Sequence, residues 1–108
     1  MLDGSGTGYY VPAGQRVVLR RTTQQSRDQG TDLPTSGDFA TAWIRYGKAP
    51  RNAAYEYAML VDADAETMTA FTRAMGAPDT APYTVRRAHS VAHVVTDRTT
   101  GITGYAVF

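Results

Sequence analysis

Short runs in which apolar and polar positions alternate dominate this chain, and they predict β-strands. The predicted strands span residues 8–11, 17–21, 39–46, 55–61, 83–87, 91–96 and 102–108. Turns rich in glycine, proline or aspartate separate several of them, including residues 97–101 (DRTTG) before the last strand. The polar stretch 22–37 is expected to be a long, mobile loop or insertion.

The most apolar run, residues 39–61, predicts two strands joined by a loop. Both faces of the first strand, 39–46, are largely apolar, which indicates a central strand covered on both sides. We expect it to pair in antiparallel fashion with the strand at 55–61, provided that residues 47–53 close as a hairpin.

One helix, around residues 65–75, interrupts the strands. Asp64 is a good N-cap, and Met68, Phe71 and Met75 recur at helical spacing. Gly76 then ends the pattern. The apolar stripe is typical of a packing face rather than a ligand groove. The fold class is therefore mainly β, an antiparallel β-sandwich with one short helix after the fourth strand.

Composition narrows the function classes. With 43% hydrophobic and 19% charged residues the chain is globular, and a net charge of +1 gives no bulk attraction for nucleic acid. Ten of the eleven basic residues are arginine, whose fork suits carboxylate and sulfate groups, although a genome-wide codon bias toward arginine is the better explanation. The chain has no cysteine, no apolar run long enough to span a membrane and no signal-peptide pattern.

The residue types that usually carry catalysis or bind metals are not arranged for it. His89 and His93 fall beside or within a predicted strand, about 13 Å apart, which is too far to share one metal ion. Asp62 and Asp64 precede the helix and are best explained by capping. We therefore expect no catalytic residue, no metal site and no cofactor in these 108 residues.

Three residues remain as candidates for substrate binding: Trp43, Arg45 and Arg51. An aromatic ring beside guanidinium groups suits an acidic sugar. The alternative is that Trp43 belongs to the core and that the basic residues lie in a solvated loop.

Several segments, in one order and with similar gaps, resemble the β-sandwich region of polysaccharide lyase family 8. The likeness is closest to the broad-specificity chondroitin sulfate ABC lyases. Residues 3–11 (DGSGTGYYV) resemble their glycine turn and strand, and residues 50–57 (PRNAAYEY) resemble their P-[KR]-[ND]-A-x-Y-E-Y pattern. Residues 62–68 are similar to their capped helix, with Ala65 where many relatives have proline, and residues 103–108 (TGYAVF) continue the series.

The resemblance implies a parent enzyme that cleaves chondroitin sulfate or hyaluronan by β-elimination at uronic acids. Family members carry an Asn or His, a Tyr and an Arg for this reaction in a helical domain, and a supporting Glu early in the sandwich region. None of those motif positions falls in this stretch, so none is transferred to it.

The expected domain organisation is thus a single β-sandwich domain, 1–108, or part of one, belonging to a larger multidomain lyase. The parent is expected to be secreted or periplasmic, and the expected partners are an acidic polysaccharide and the remaining lyase domains. Two alternatives stay open. One is a free-standing carbohydrate-binding module, and the other is self-association through unpaired strand edges.

Overall fold

The structure is a computed structural model that describes residues 1–108. It contains seven strands and one helix, in the order β1 (Gly8–Tyr10), β2 (Val17–Arg27), β3 (Pro34–Ile44), β4 (Ala58–Leu60), α1 (Ala65–Met75), β5 (Tyr83–Ala88), β6 (Ala92–Asp97) and β7 (Thr103–Val107). Every strand pair is antiparallel. The mainly β fold class and the single helix after the fourth strand are confirmed.

The chain divides into two compact units. The hairpin unit consists of Val11–Tyr55 and holds β2 and β3. The helix-containing unit consists of Met1–Tyr10 and Glu56–Phe108 and holds the other five strands and α1.

In the hairpin unit, β2 and β3 pair without interruption from Val17 opposite Ile44 to Arg27 opposite Pro34. The prediction of a long loop over residues 22–37 was therefore wrong. Polar residues can form a strand when both of their faces meet solvent and their side chains find partners across the ladder. Here the Thr23 hydroxyl donates to Asp38 Oδ1 over 2.6 Å, which supplies such a partner.

A compact turn at residues 28–33 closes this hairpin. Asp28 Oδ1 accepts hydrogen bonds from the Gly30 and Thr31 backbone N–H groups and from the Thr31 hydroxyl. These bonds, first of all that of the Thr31 hydroxyl, hold the pKa of the Asp28 carboxyl below its usual range. An exposed salt bridge of 2.9 Å joins Arg27 to Asp32, where the backbone turns through positive φ.

The predicted pairing of strands 39–46 and 55–61 was also wrong. β3 pairs with β2, whereas β4 pairs with β1. Residues 45–57 form an irregular connection in which Gly47, Ala49 and Asn52 adopt positive φ, and this backbone does not close a tight hairpin. Nor is β3 a covered central strand, because β2 is the one strand that pairs with it and Phe39 is 54% exposed.

In the helix-containing unit, α1 begins and ends as predicted. Asp64 Oδ1 accepts from the Thr67 backbone N–H over 2.7 Å, and Gly76 caps the C-terminus. Met68, on the predicted stripe, is buried and packs close to Gly8 of β1 and to Ala63. Amphipathic helices gain most of their stability from such packing, so this contact forms the small core of the unit.

A second packing cluster in the same unit is aromatic. The Phe71 ring meets Tyr10 edge-on, with 5.5 Å between centroids, and stacks beside Tyr83 at 6.4 Å. Both geometries are favourable for aromatic pairs. Phe71 of the helical stripe therefore packs with side chains of β1 and β5, as the packing interpretation of that stripe requires.

The last three strands form the sheet β5–β6–β7, with an irregularity between Val85 and Arg87. All three strands and the turn after Asp97 are confirmed. The Asp97 carboxylate accepts from the Thr99 and Thr100 hydroxyls and from the Thr99 N–H, which lowers its pKa to about 2. No helix in the chain has the length and apolar character needed to cross a bilayer.

Candidate functional site

Trp43 lies on β3, directly opposite Val18 of β2, and is 43% exposed. The buried hydrophobic residues are instead Ala63 and Met68 of the other unit. The ring of Trp43 is therefore accessible from solvent, which the substrate-binding hypothesis requires and which its alternative, Trp43 in the core, does not provide.

The register of the hairpin decides which side chains share a face with Trp43. Residues two apart on a strand point to the same side, and directly opposed residues of an antiparallel pair do so too. Arg20 lies opposite Thr41, so it stands on the Trp43 side between the levels of Phe39 and Trp43. We call this side the aromatic–arginine face; its members are Arg16, Val18, Arg20, Thr22, Phe39, Thr41, Trp43 and Arg45.

Arg45 follows the last residue of β3, but its backbone still belongs to the ladder. Its N–H donates to the Arg16 carbonyl oxygen over 2.8 Å, which continues the register of Val17 with Ile44 by one position. Arg45 and Arg16 are therefore opposed and share the aromatic–arginine face. The structure thus brings two of the predicted residues, Trp43 and Arg45, to one surface.

Arg51, the third predicted residue, lies in the irregular connection of residues 45–57, outside any strand, and is exposed. The sheet register does not assign it to either face of the hairpin. Its role in binding stays a prediction.

Sequence reasoning missed Arg16, Arg20 and Phe39 as members of this surface. Arg20 falls within the predicted strand 17–21, but the pairing of that strand with residues 39–46 was not predicted. The pairing could have been predicted from two runs of equal length, residues 17–27 and 34–44, on either side of a turn that contains Asp28 and Gly30. This arrangement is typical of a hairpin.

The opposite side of the hairpin has different chemistry. Its paired residues near the strand ends are aliphatic: Val17 with Ile44 and Leu19 with Ala42. Two arginines share this side: Arg21, opposite Ala40, and Arg27, which lies opposite Pro34 and is paired with Asp32. We call this side the aliphatic face.

Charge is distributed unevenly between the two units. The hairpin unit has seven basic and three acidic residues, a formal net charge of +4, while the helix-containing unit has four basic and seven acidic residues, or −3. Of the three acids in the hairpin unit, Asp28 and Asp32 belong to the turn region and Asp38 is bonded to Thr23 on the aliphatic side. The aromatic–arginine face carries arginines and no carboxylate.

An open groove of about 520 Å³ runs beside α1 in the other unit, lined among others by Leu60, Phe71 and Pro82. Its acidic lining residues, Asp64 and Glu66, belong to the first turn of the helix. Negative charge at that position stabilises the helix and repels an anionic ligand. The groove is thus a poor site for an acidic sugar.

The histidines have local roles. His89 lies between β5 and β6, and its Nδ1 accepts from the Val91 and Ala92 N–H groups. His93, in β6, packs its ring edge-on against Phe108 with 5.0 Å between centroids. The structure contains no group of three or more histidine, cysteine or acidic residues placed to hold a metal ion.

A polar pair in the helix-containing unit was also missed. The Tyr83 hydroxyl donates to Glu56 Oε1 over 2.6 Å in a partly buried setting. Burial, followed by this hydrogen bond and the charge of Glu56, raises the pKa of Tyr83 well above its usual value. The two residues are 27 positions apart, so no local pattern in the sequence indicates their contact.

The profile of the polysaccharide lyase family 8 super-sandwich domain matches residues 1–72 of the chain. The chain belongs to this family. Three similar family members are the chondroitin sulfate ABC endolyase of Proteus vulgaris (31% identity over 100% of the chain) and the chondroitin sulfate ABC exolyases of Bacteroides thetaiotaomicron (38% over 99%) and Proteus vulgaris (36% over 100%). The chain spans about a tenth of the length of each of these lyases.

These comparisons confirm the resemblance to family 8 that the segment order indicates. They also extend it, because the three lyases align beyond residue 72 to the last strand of this chain. Both units therefore have counterparts in the ABC lyases.

Proposed function

We propose that the chain is a non-catalytic β-sandwich segment of a glycosaminoglycan lyase. The whole enzyme would cleave chondroitin sulfate or hyaluronan by β-elimination at uronic acid residues. The observation that carries the proposal is the match of essentially the full chain to three chondroitin sulfate ABC lyases, within the super-sandwich region of the family. Its partners would be the remaining domains of a secreted or periplasmic enzyme.

The titratable groups of the chain support a structural role. Elimination requires a base positioned to remove a proton, with a pKa suited to the task. The carboxylates of Asp3, Asp28, Asp64 and Asp97 have lowered pKa values because hydrogen bonds within their own turns or helix cap stabilise the charged form. Such groups are weak bases already committed to local structure.

Tyr83 is equally unsuited to proton abstraction. A tyrosine that acts as a base must lose its proton near the working pH, whereas burial and Glu56 raise the pKa of Tyr83. Its hydroxyl instead binds a carboxylate within the fold.

The non-catalytic part is tested by incubating the 108-residue chain with chondroitin sulfate and with hyaluronan. Each elimination would create an unsaturated uronate, which absorbs in the ultraviolet. We expect no increase in absorbance, while the Proteus vulgaris endolyase serves as the positive control on chondroitin sulfate. A steady increase that scales with chain concentration would contradict this part of the proposal.

The lyase part is tested by sequencing the source DNA on both sides of the segment. We expect in-frame coding sequence for a helical domain with an Asn or His, a Tyr and an Arg. A short reading frame bounded by stop codons would instead favour the second candidate.

That second candidate is a carbohydrate-binding module for acidic polysaccharide. The observation that favours it is the exposure of Trp43 and Arg45 on one face of the hairpin that carries no carboxylate. In a lyase, the same property would let the segment hold substrate without reacting with it.

A further inference from the structure

We propose that the aromatic–arginine face binds an extended acidic polysaccharide lying along the strands, with Arg20 and Phe39 as contact residues beside Trp43 and Arg45. This inference rests on the proposed function for its choice of ligand class. It differs from the sequence prediction in its residues, because the register adds Arg16, Arg20 and Phe39.

The spacing of the face favours a long ligand. Arg20 lies diagonally across from both Phe39 and Trp43, about 7–8 Å from each, which long side chains can reach. Arg16, directly before β2, lies about 13 Å from Arg20, and Phe39 and Trp43 are separated by a similar distance along β3. A ligand that meets both levels must therefore be extended and carry repeated negative groups.

The chemistry of the side chains fits the two properties of an acidic sugar chain. Guanidinium groups donate paired hydrogen bonds to carboxylates and sulfates. Exposed aromatic rings offer flat apolar surfaces against which the C–H faces of sugar rings can pack. Both kinds of group alternate on this face, so one polymer can use both.

The contrast between the two sides of the hairpin indicates which side is free for a ligand. The aliphatic face, with Val17, Leu19 and Ile44, has the character that a second protein layer buries. Burying Arg16, Arg20 and Arg45 in the same way would leave three cations without an opposing charge on that face. The arginine-bearing side is therefore the one that stays open to an anionic partner from outside the hairpin.

Single-stranded nucleic acid is the other polyanion that aromatic and arginine side chains can bind. Membership of a polysaccharide lyase family favours the sugar polymer. The experiment treats nucleic acid as a separate outcome.

The decisive comparison uses two neighbouring arginines on opposite faces. Trp43 is the only tryptophan in the chain, so its emission reports directly on the proposed site. The chain is titrated with a chondroitin sulfate oligosaccharide at low salt, alongside the variants Arg20→Gln and Arg21→Gln. Both variants remove one charge from an exposed position of β2, but only Arg20 faces Trp43.

We expect Arg20→Gln to weaken binding about tenfold, the effect of losing one charge-assisted hydrogen bond, and Arg21→Gln to weaken it less than twofold. Added salt should weaken binding by the unaltered chain. Equal losses in the two variants would mean diffuse attraction to the +4 unit and would overturn the proposal.

The aromatic contribution is tested with a labelled oligosaccharide and fluorescence anisotropy. Trp43→Ala should weaken binding about tenfold, and Tyr105→Ala, which removes a 72% exposed ring from the other unit, should not. Circular dichroism and sedimentation of each variant establish that fold and oligomeric state are unchanged. Should Trp43→Ala misfold, Trp43→Leu repeats the test with a side chain that is apolar but not flat.

Two further results would overturn the proposal: no binding of the oligosaccharide, or tighter binding of a single-stranded DNA oligonucleotide of equal charge. Neither would affect the proposal of a non-catalytic lyase segment, which depends on the absence of elimination and on the flanking coding sequence. Conversely, elimination by the chain would overturn the latter proposal alone. The two failures are therefore distinguishable.

Discussion

The two units of this chain differ in whether they have a buried core. In the helix-containing unit, Met68 is buried beside β1 and Phe71 packs between two tyrosines. In the hairpin unit, Leu19, Phe39 and Trp43 stand on a two-stranded sheet and are 64%, 54% and 43% exposed. The first unit has a small buried core, although Tyr105 and Phe108 of the same unit are exposed, whereas the second has no buried side chain.

Charge separates the units in the same direction. Averaged over the chain, the net charge of +1 gives no bulk attraction for nucleic acid, yet it is the sum of +4 on the hairpin unit and −3 on the other. Electrostatic attraction acts over about 8–10 Å at moderate salt, so the local value decides what a surface binds. Net charge should be evaluated for each unit before a class of partner is excluded.

The largest effect is expected from removing the packing residue of the helix-containing unit. Met68→Ala should lower the free energy of unfolding by about 2–3 kcal/mol, since it removes buried methylene groups and leaves a cavity. The control, Met59→Ala, alters a residue that is 55% exposed and should cost much less. Urea denaturation followed by the helical signal at circular dichroism measures both. Equal losses would mean that Met68 is not a core residue.

A smaller effect is expected from the partly buried pair of Tyr83 and Glu56. Tyr83→Phe removes the hydrogen bond to Glu56 and should lower the free energy of unfolding by about 1–2 kcal/mol. Tyr105→Phe, at a 72% exposed position, is the matched control and should have little effect.

Tyr83 also predicts an alkaline limit to stability. Its pKa is raised in the folded chain, so the unfolded state releases this proton first. The stabilisation is complete below the ordinary tyrosine pKa near 10 and is lost as the pH rises further. As the pH rises above 10, the urea denaturation midpoint should therefore fall less steeply with pH in Tyr83→Phe than in the unaltered chain. Equal slopes of midpoint against pH in the two proteins would contradict this assignment.

The difference between the units should also be visible in hydrogen exchange. The β2–β3 ladder is a two-stranded sheet without a buried side chain, whereas β6 is flanked by two strands. We expect amides of β2 to exchange about tenfold faster than those of β6, because two-stranded ribbons open at low cost. Saturating acidic oligosaccharide should slow exchange in β2 and leave β6 unchanged. Equal protection without ligand would remove the contrast between the units.

The smallest effect concerns the two turns, in which the units resemble each other. Asp28 and Asp97 each accept hydrogen bonds from residues that follow them, and both have lowered pKa values, that of Asp97 to about 2. A carboxyl group whose pKa is lowered by folding stabilises the folded state at pH values above the ordinary pKa of 3.8. For Asp97 this stabilisation is lost as the pH falls toward 2. Carboxyl carbon NMR titration should show both groups ionising below the ordinary aspartate value of 3.8.

Replacement by asparagine tests each turn separately. Asp28→Asn should remove the acid sensitivity of the hairpin unit alone, and Asp97→Asn that of the β6–β7 turn alone. If either single substitution removed the acid sensitivity of both turns, each turn could not depend on its own aspartate alone.

Helical spacing and turn chemistry made α1 and the β6–β7 turn of the helix-containing unit predictable from sequence, whereas the pairing of β4 with β1 was not. Asp64, the stripe through Met68, and the turn after Asp97 each depend on neighbours within a few positions. The contact of Tyr83 with Glu56 was not predictable, because it joins positions that share no pattern.

The hairpin unit was harder to predict because its strands combine apolar ends with polar middles. Residues 22–27 have no apolar alternation, so their strand character depends on a partner that is known only from the register. Trp43 and Arg45 were recognised from β3 itself, but Arg20 joins them through pairing. The sequence therefore predicted the members of the candidate surface on β3 but not those on β2. The role of Arg51 stays a prediction.

Gly8 sets a condition on exchanging this region between related lyases. A Cβ atom at position 8 would lie 3.2 Å from Ala63 Cβ and would meet the sulfur of Met68 still more closely. Positions 8, 63 and 68 thus form one spatial unit although more than fifty residues separate the first from the second. A chimaera with a single crossover between β1 and α1 would take Gly8 from one lyase and Met68 from the other, and so combine surfaces not shaped for each other. A chimaera with two crossovers that exchanges the hairpin unit alone would keep all three residues from the same lyase.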